Sequence, residues 1–456
     1  MKLRSFFHLN QAAYFIVDYV LLWAATVWAY KFSPSYQNEI LIGPWLNPEL
    51  RMVGYGMPVF MALGLQLADL QRPRAGFRPT ETFVRTFSAI AIGIVLFAAI
   101  HALITYSLVG RFVIFFTLLY GTAFVLGSRL VLWKLAYHSR RKVVLYGRPA
   151  TFRVLNGFIG HFKLPIHLAG QTTLAQLADK SDRGQVDLDD RLLKFIRSHQ
   201  ADEIVVDVPE SLTIDERRAL SHCTRLGIPV ADLSLFYERN FEQVYVEGLN
   251  EAWFWSYDPA HTQPWYFAFK RFSDIVLCLA GLVSSATFTP LVALAIKLQD
   301  GGPIFYSQLR LGRHNEPFKI YKFRTMRVDA EVGGAQWARP GDSRVTRLGL
   351  FLRRSRLDEV PQFWNILTGE MSFIGPRPER PEFVEKIERE MPFYSYRHLV
   401  KPGLTGWAQI NYPYGASVED TRRKLAYDLY YLKNASASMD LLIVFRTIVA
   451  MVKGAR

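Results

Sequence analysis

Residues 357–362 read Leu-Asp-Glu-Val-Pro-Gln, so that two adjacent carboxylates stand shortly before a proline. Proline favours the first turn of a helix. Apolar residues follow the carboxylates at helical spacing, at Val360, Phe363, Trp364, Ile366 and Leu367. The pattern predicts a helix that begins close to Asp358, with both acids at its positive end. That position would lower the pKa of a carboxyl group and keep it ionised.

The acid pair has two interpretations. An Asp-Glu pair in a first helical turn often serves only as a favourable cap. Here, however, basic residues lie on both sides of the pair in the sequence, at Lys322, Arg324, Arg353, Arg354, Arg356 and Arg377. Arginine and lysine hold phosphate oxygens, while one carboxylate attacks phosphorus and a second helps to bind a hard metal ion. Chemistry on a phosphate is therefore the alternative to a simple cap.

The N-terminal third of the 456-residue chain is strongly apolar. The net charge of +14 favours anionic partners without choosing among nucleic acid, phosphorylated metabolites and a membrane surface. Four apolar runs approach or reach the ~20 residues that a spanning helix needs, at residues 12–28, 52–68, 87–109 and 112–133. They predict a four-helix transmembrane bundle over residues 1–138. Basic residues in its short loops predict that both ends face the cytoplasm.

Ionisable residues are few in these apolar runs, and the whole chain has two cysteines. Asp18 and Arg129 lie inside or near the ends of apolar runs, and we expect them to make contacts between helices rather than to form a proton relay. The two cysteines, Cys223 and Cys278, lie in unrelated segments. We expect buried thiols in a reducing compartment, with neither a disulfide nor a zinc site.

Residues 139–246 alternate between strand-like and helix-like segments, which predicts a Rossmann-like domain with a parallel sheet. A dinucleotide site would need a glycine-rich turn after the first strand, but residues 146–151 read Tyr-Gly-Arg-Pro-Ala-Thr. We therefore favour a structural or regulatory domain, although a nucleotide could bind without the motif. Residues 247–266 are interpreted as a linker, and residues 267–456 as a mostly helical third domain.

A fifth apolar run begins this last domain. Residues 273–296 are long enough to span a bilayer, but Lys270, Arg271 and Lys297 give the run basic flanks on both sides, which opposes a simple crossing. Thr289-Pro290 interrupts it, and proline kinks a helix. We predict a re-entrant helix over residues 270–297 that enters and leaves the membrane on one face. An ordinary fifth spanning helix is the alternative.

The segments that follow predict a β-hairpin turning at residues 312–317, with Lys322 and Arg324 spaced to point the same way. Residues 330–347 are rich in glycine and proline, which predicts a loop able to act as a mobile cover. Further on, a cluster of aromatic and basic residues could contact lipid headgroups or nucleotide, although a solvated basic face is the simpler role for most of them. Its members are Tyr394, Tyr396, Arg397, His398 and Lys401.

The last domain, from about residue 270 to the end, resembles the bacterial sugar transferase family, the monotopic polyprenyl-phosphate hexose-1-phosphate transferases. The resemblance rests on five short motifs in a fixed order. They are residues 302–305 (Gly-Pro-Ile-Phe) with Gln308 and Arg310, residues 322–326 (Lys-Phe-Arg-Thr-Met), residues 357–362, residues 375–378 (Gly-Pro-Arg-Pro), and residues 402–409 (Pro-Gly-Leu-Thr-Gly-Trp-Ala-Gln). The overall layout resembles the long form of the family, with membrane helices and a Rossmann-like domain. The family's Ser-Pro step is here Thr289-Pro290, which keeps a hydroxyl able to bond a freed carbonyl.

The resemblance implies roles for individual residues. Asp358 corresponds to the nucleophile, and Glu359 to a second acid that helps in metal binding or proton handling. Lys322 and Arg353 correspond to cations of the site, and both acids would hold Mg²⁺. Substrate or phosphate binding is expected of a further set, namely Arg324, Arg377, Gln362, Thr405 and Gln409.

The resemblance also implies an activity and its partners. A hexose-1-phosphate would pass from a UDP-hexose to undecaprenyl phosphate through a phospho-sugar on Asp358, releasing UMP. This would be the first membrane step of exopolysaccharide, capsule or O-antigen synthesis. The protein would lie among the lipids of the bacterial inner membrane, with its catalytic domain on the cytoplasmic face. Nucleic acid is not expected as a partner, and a homodimer is left open.

Two other functions compete with this one. Membrane-anchored NAD-dependent dehydratases and epimerases share the helix-plus-Rossmann layout, but they need a glycine-rich turn and a Tyr-x-x-x-Lys pair, which we do not find in suitable places. A non-enzymatic membrane scaffold or lipid flippase would make the cluster of acids and cations incidental.

Overall fold

The computed structural model describes most of the chain. The described ranges are residues 11–31, 52–67, 79–105, 109–138, 140–162, 164–178, 188–207, 211–255, 264–328, 330, 342–412 and 417–452. The chain divides into two compact units, Met1–Phe241 and Glu242–Arg456. The predicted division into a bundle, a Rossmann-like domain, a linker and a catalytic domain stays a prediction.

The described residues of the first unit begin with four apolar helices. They are α1 (Gln11–Lys31), α2 (Met57–Leu67, preceded by a π-helical turn over Met52–Gly56), α3 (Pro79–Thr105) and α4 (Arg111–His138). Within the described residues, Thr82–Thr105 and Arg111–Leu132 are long and apolar enough to cross a membrane, whereas Tyr14–Tyr30 and Met52–Gln66 are shorter. Asp18 accepts two hydrogen bonds from Arg129 Nη2, at 2.8 and 2.6 Å. The predicted contact between helices is therefore confirmed, and the two charges compensate each other in a buried position.

A four-stranded parallel sheet follows, in the order β2-β1-β3-β4. Its strands are β1 (Arg141–Tyr146), β2 (Ile166–Thr172), β3 (Glu203–Val206) and β4 (Val230–Asp232). Its helices are α5 (Pro149–His161), α6 (Leu174–Ala178), α7 (Leu188–Ser198), α8 (Ile214–Arg225) and α9 (Leu233–Phe241). The predicted parallel sheet is confirmed. Its buried strands pack on one side against Leu192, Ile196 and Leu220.

The turn between β1 and α5, which lacks a glycine-rich motif, is held by a carboxylate of the chain. Asp207, which follows β3, accepts hydrogen bonds from the Thr151 hydroxyl (2.7 Å) and from Arg148 Nε (2.9 Å) at the start of α5. Helix N-termini attract anions. Here a carboxylate of the chain itself lies at that position.

In the second unit a 3₁₀ turn (Val246–Gly248) and α10 (Glu251–Trp255) precede two apolar helices, α11 (Pro264–Ser285) and α12 (Phe288–Asp300). The latter two are bent by 61° at a short break. The break lies at residues 286–287, shortly before the predicted Thr289-Pro290 step. Pro290 falls in the first turn of α12, where a missing N–H leaves no helical hydrogen bond unmade.

A predicted β-hairpin is confirmed in β5 (Phe305–Leu311) and β6 (Pro317–Phe323), which pair antiparallel with Tyr306 opposite Lys322. The remaining strands and helices are α13 (Arg347–Ser355), α14 (Gln362–Thr368), β7 (Ser372–Ile374), α15 (Pro381–Glu390), β8 (Gly403–Thr405), α16 (Trp407–Asn411), α17 (Val418–Asn434) and α18 (Ala437–Val452). Most of the predicted mobile cover, residues 331–341, lies outside the described residues.

Backbone contacts explain three glycines of the sequence motifs. β7 and β8 pair in parallel, and the chain after β7 runs directly against the chain around β8. A Cβ atom on Gly375 would lie 2.3 Å from the Lys401 carbonyl oxygen. On Gly403 it would lie 2.1 Å from Gly375 N, and on Gly406 2.1 Å from Gly375 O. These glycines allow the close approach that brings the segment with Arg377 onto β8.

Replacing one of these glycines tests the importance of the close packing. Gly375→Ala forces a methyl group against backbone, which cannot move aside as a side chain can. Overpacking of this kind costs about 1–3 kcal/mol. We expect a clear fall in the apparent Tm of the detergent-purified protein. Gly157→Ala is the control, because nothing lies within 4 Å of its added Cβ. An unchanged Tm for Gly375→Ala would contradict the packing.

Candidate active site

Asp358 and Glu359 lie in a 3₁₀ turn, Leu357–Glu359, between α13 and α14. Arg356 just before them adopts the left-handed conformation (φ 59°), which ends α13 and reverses the chain. Pro361 is the N-cap of α14, so this helix begins at Gln362. The prediction of a helix starting close to Asp358 therefore has to be corrected. The acids precede the helix in a tight turn and do not form its first turn.

Glu359 is surrounded by cations. Its Oε1 atom lies 3.3 Å from Lys322 Nζ and 3.3 Å from Arg377 Nη2. Its Oε2 atom lies 3.7 Å from Arg356 Nη1. Burial opposes the ionisation of this carboxyl group, but Lys322, Arg377 and Arg356 outweigh it and lower the pKa of Glu359 to about 2. Glu359 is thus a fixed anion whose charge is already compensated.

Asp358 lies in a different environment. It is buried, and its Oδ1 atom accepts no hydrogen bond from any residue in the described part of the chain. Burial raises the pKa of Asp358; Lys322 opposes this shift and the neighbouring Glu359 adds to it. The expectation of a lowered pKa was therefore wrong. Loss of solvation on burial outweighs any effect of the positive end of α14 on the pKa of Asp358. Residues 360–361 separate Asp358 from that helix.

Two more predicted cations, Arg353 and Arg324, have different partners. Arg353 is close enough to favour the ionised form of Asp358, and its Nε donates to Thr325 Oγ1 at 2.9 Å. Arg324 instead forms an ion pair with Asp300 at the end of α12. Lys322 is the last residue but one of β6, whereas Arg324 follows the strand. Lys322 and Arg324 therefore have different partners, Glu359 and Asp300, and the expectation that they point the same way stays a prediction.

The remaining predicted residues have mainly local partners. Gln362 is buried at the start of α14, and its Nε2 has no hydrogen-bond acceptor among the described residues. Thr405 shares a 2.7 Å hydrogen bond with Thr447, and Gln409 Nε2 donates to the Leu404 carbonyl at 3.1 Å. Thr405 and Gln409 therefore have contacts within the fold, and their role in substrate binding stays a prediction.

The structure adds a buried ion pair that the sequence did not suggest. Arg397 Nη2 lies 2.7 Å from Asp428 Oδ2, and both side chains are almost fully buried. The same nitrogen donates to the Arg377 carbonyl at 2.9 Å, so this pair fixes the backbone of a predicted phosphate-binding residue. We expected a solvated basic face here, and for Arg397 and His398 this was wrong. Burial lowers the pKa of His398 to about 3, so its ring is neutral.

Arg310 was a motif residue without an assigned role. Its Nη1 donates to the Pro378 carbonyl at 3.1 Å and lies 3.5 Å from Glu379 Oε2. Burial lowers the pKa of Lys322, and the Arg310 charge adds to this shift. The signal in the sequence was its position at alternate residues with Tyr306 and Gln308 on one face of β5. On this face Gln308 Nε2 donates to Tyr306 Oη at 2.8 Å, and Arg310 Nη2 donates to Gln308 Oε1 at 2.6 Å.

A divalent cation fits the acid pair only if its other ligands come from a bound molecule. Among the described residues, no group of three or more His, Cys, Asp or Glu side chains is placed to hold an ion. Mg²⁺, however, is often bound by one or two carboxylates together with substrate phosphates. Asp358 Oδ1, which has no hydrogen-bond partner among the described residues, would supply such an oxygen beside the Glu359 carboxylate.

Most of the second unit is similar to known proteins. Residues 265–454 match the family model described as bacterial sugar transferase. A putative undecaprenyl-phosphate N-acetylgalactosaminyl 1-phosphate transferase from Bacillus subtilis strain 168 is 48% identical over 132 residues, which are 29% of this chain and 74% of that protein. The chain belongs to the bacterial sugar transferase family.

Longer members of the bacterial sugar transferase family match more of the chain. A UDP-N-acetylgalactosamine-undecaprenyl-phosphate N-acetylgalactosaminephosphotransferase from Aeromonas hydrophila is 41% identical over 283 residues. The match covers 61% of this chain and 62% of that protein. A UDP-glucose:undecaprenyl-phosphate glucose-1-phosphate transferase from Escherichia coli strain K12 is 42% identical over 181 residues, 39% of each chain. The chain thus spans less than two thirds of the length of these two relatives.

Removing one partner of the buried ion pair tests its role in holding the site. Arg397→Leu leaves the Asp428 carboxylate buried without its cation, which typically costs about 3–5 kcal/mol. We expect a large fall in the apparent Tm. The double variant Arg397→Leu/Asp428→Leu removes both charges and should recover much of that loss. A double variant no more stable than Arg397→Leu would show that the charges are not the cause.

Proposed function

We propose that this protein transfers a sugar-1-phosphate from a UDP-sugar to undecaprenyl phosphate and that Asp358 carries the phospho-sugar between the two. The observation that supports this best is the asymmetry of the acid pair. Glu359 has three cations within 4 Å, while Asp358 beside it has a buried oxygen without a partner among the described residues. The names of relatives point to the same reaction class.

The reaction takes place in two balanced steps. An Asp358 oxygen forms a bond to the phosphorus atom attached to the sugar, and the bond from that phosphorus to UMP breaks with its electron pair leaving on UMP. An oxygen of undecaprenyl phosphate then bonds to the same phosphorus. The bond to Asp358 breaks, which restores the carboxylate and gives the diphosphate-linked product. Dividing one transfer into two steps allows two bulky anions to use one site in turn.

The electrostatics indicate why the nucleophile is Asp358 and not its neighbour. Three cations draw charge from Glu359 and hold its pKa near 2, so it is the weaker nucleophile. Burial makes the Asp358 carboxylate more basic, because fewer solvent contacts stabilise its charge. Glu359 in turn holds Lys322 and Arg377 beside the position where phosphate oxygens would bind. Their positive charges would stabilise charge that develops in the transition state.

Mg²⁺ is the metal that we propose for this site, held by Asp358 and Glu359. When bound, it would neutralise charge on the diphosphate.

We propose that the chain is an inner-membrane protein with its catalytic unit on the cytoplasmic face, where UDP-sugars are found. Helices α1–α4 would form the spanning bundle, and α11 and α12 would enter and leave the membrane on one face. The 61° bend between α11 and α12 and the basic flanks at Lys270 and Lys297 support the re-entrant path.

The alternative functions receive less support. Asp207 lies at the helix start that a dinucleotide phosphate would need.

Removing the proposed nucleophile should stop the reaction. In Asp358→Asn an amide replaces the carboxylate and cannot attack phosphorus, so release of UMP should fall to background. Glu359→Gln should leave a trace of activity. The assay measures UMP from a panel that includes UDP-N-acetylgalactosamine, UDP-glucose and UDP-galactose, with undecaprenyl phosphate and Mg²⁺ present. Retained activity in Asp358→Asn would refute the assignment. A scaffold or a dehydratase would release no UMP even as the unmodified protein.

The pH dependence should report the raised pKa of Asp358. Its ionised form attacks, so activity is lost as the pH falls through its pKa, which lies above the ordinary 3.8. Arg353 favours the ionised form, so Arg353→Met should move this acid limb to higher pH. Arg354→Met is the matched control, because Arg354 is exposed on the same helix. A limb that stays in place, or moves to lower pH, in Arg353→Met would contradict this electrostatic account.

A further inference from the structure

Helix α11 has an unusual distribution of side chains. Its outward face is apolar and exposed, with Phe272 65% and Val283 75% accessible. Its inward face carries charged residues, among them the half-buried Arg271 and the buried Asp274. This is the reverse of a helix on a water-soluble protein, where the polar face is outside. The inward charges therefore need partners within the second unit.

Arg271 contacts the end of α14. Its Nη1 donates to the Ile366 carbonyl at 2.6 Å, and its Nη2 donates to the Leu367 carbonyl at 2.7 Å. The last carbonyls of a helix lack partners within the helix, and a cation there is favourable. α14 has only seven residues, too few to be stable alone. Arg271 therefore anchors the short helix that directly follows the turn with Asp358.

Asp274, one turn further along α11, contacts the other side of the site. Its Oδ1 accepts hydrogen bonds from Ser372 Oγ at 3.0 Å and from Phe373 N at 2.9 Å. Both donors belong to the three-residue strand β7, which leads into Arg377. The same acid oxygen therefore fixes the backbone from which the phosphate-binding arginine projects.

Packing brings α11 and α14 close together as well. Gly281 of α11 faces the Phe363 ring, and an added Cβ would lie 2.6 Å from a ring atom. Arg271 and Asp274 thus belong to a tight contact in which one helix holds both halves of the site. These halves meet where Arg377 lies 3.3 Å from Glu359.

From these contacts we propose that Arg271 and Asp274 are positioning residues for the transfer reaction. They set the spacing between the turn with Asp358 and the segment with Arg377, and neither touches the reacting atoms. The inference rests on the function proposed above for its kinetic consequence. Its structural part, that loss of Arg271 loosens the turn at residues 357–362, does not depend on any activity.

The test uses the full chain in detergent and compares Arg271→Met with the unmodified protein. Hydrogen exchange should become faster in residues 357–368. Single-turnover release of UMP, measured with whichever donor of the panel the unmodified protein uses, should slow by about 10–100-fold, because small misplacements of reacting groups have effects of this size. The donor concentration that gives half the maximal single-turnover rate should change by less than about twofold, since α11 does not bind the donor in this proposal.

Conservative variants provide a rescue. Arg271→Lys keeps a cation able to reach one carbonyl and should recover part of the rate. Asp274→Ala should slow the reaction, whereas Asp274→Asn keeps an oxygen that accepts from Phe373 N and should be faster than Asp274→Ala.

Lys270→Met is the matched control. Lys270 lies next to Arg271 on α11, but its Nζ contacts Asp440 of α18 at 2.8 Å and no residue of α14 or β7. This variant should keep normal exchange at residues 357–368; exchange is the matched readout, because the Lys270 charge also acts on Asp274. Unchanged exchange in Arg271→Met, or an equal increase in exchange at residues 357–368 in Lys270→Met, would overturn the proposal. Faster exchange in Arg271→Met together with no UMP from the unmodified protein would support the structural part of the inference and refute the proposed function.

Discussion

Two adjacent carboxylates in a buried turn repel each other and lose their solvation, so the fold has to compensate at least one of them. Here the compensation is unequal. Lys322, Arg377 and Arg356 converge on Glu359, while Asp358 keeps an oxygen without a partner in the described part of the chain. The turn thereby combines one acid that orders the surrounding cations with another that is available for chemistry. The remaining contacts of the site keep this inequality in place.

Each cation of the site is held from a different direction. Lys322 projects from the hairpin β5–β6, and Arg377 projects from the segment after β7. The Arg377 carbonyl accepts a hydrogen bond from Arg397, which is paired with the buried Asp428. The glycines around β7 and β8 allow these backbones to touch. Since α13 and α14 are short, the turn between them depends on its neighbours for rigidity. A site assembled from so many short segments gains its precision from tertiary contacts.

Sequence reasoning succeeded where the signal was local and periodic. The β-hairpin followed from alternation around residues 312–317, and the parallel sheet from strands alternating with helices. The contact of Asp18 with Arg129 followed because charges in apolar helices need partners. It failed where distant segments decide the outcome. The left-handed conformation of Arg356, the direction of the Asp358 pKa shift and the burial of Arg397 beside Asp428 depend on contacts between segments that no local pattern records.

If Asp358 itself carries the phospho-sugar, the adduct can be found on that residue. The purified chain would be incubated with Mg²⁺ and a donor UDP-sugar but without undecaprenyl phosphate, quenched with acid, digested and examined by mass spectrometry. UMP should be released in an amount no greater than that of the enzyme, and the peptide containing Asp358 should gain the mass of one phospho-sugar on that residue. An adduct on a different residue, or UMP release only when undecaprenyl phosphate is present, would contradict this role of Asp358.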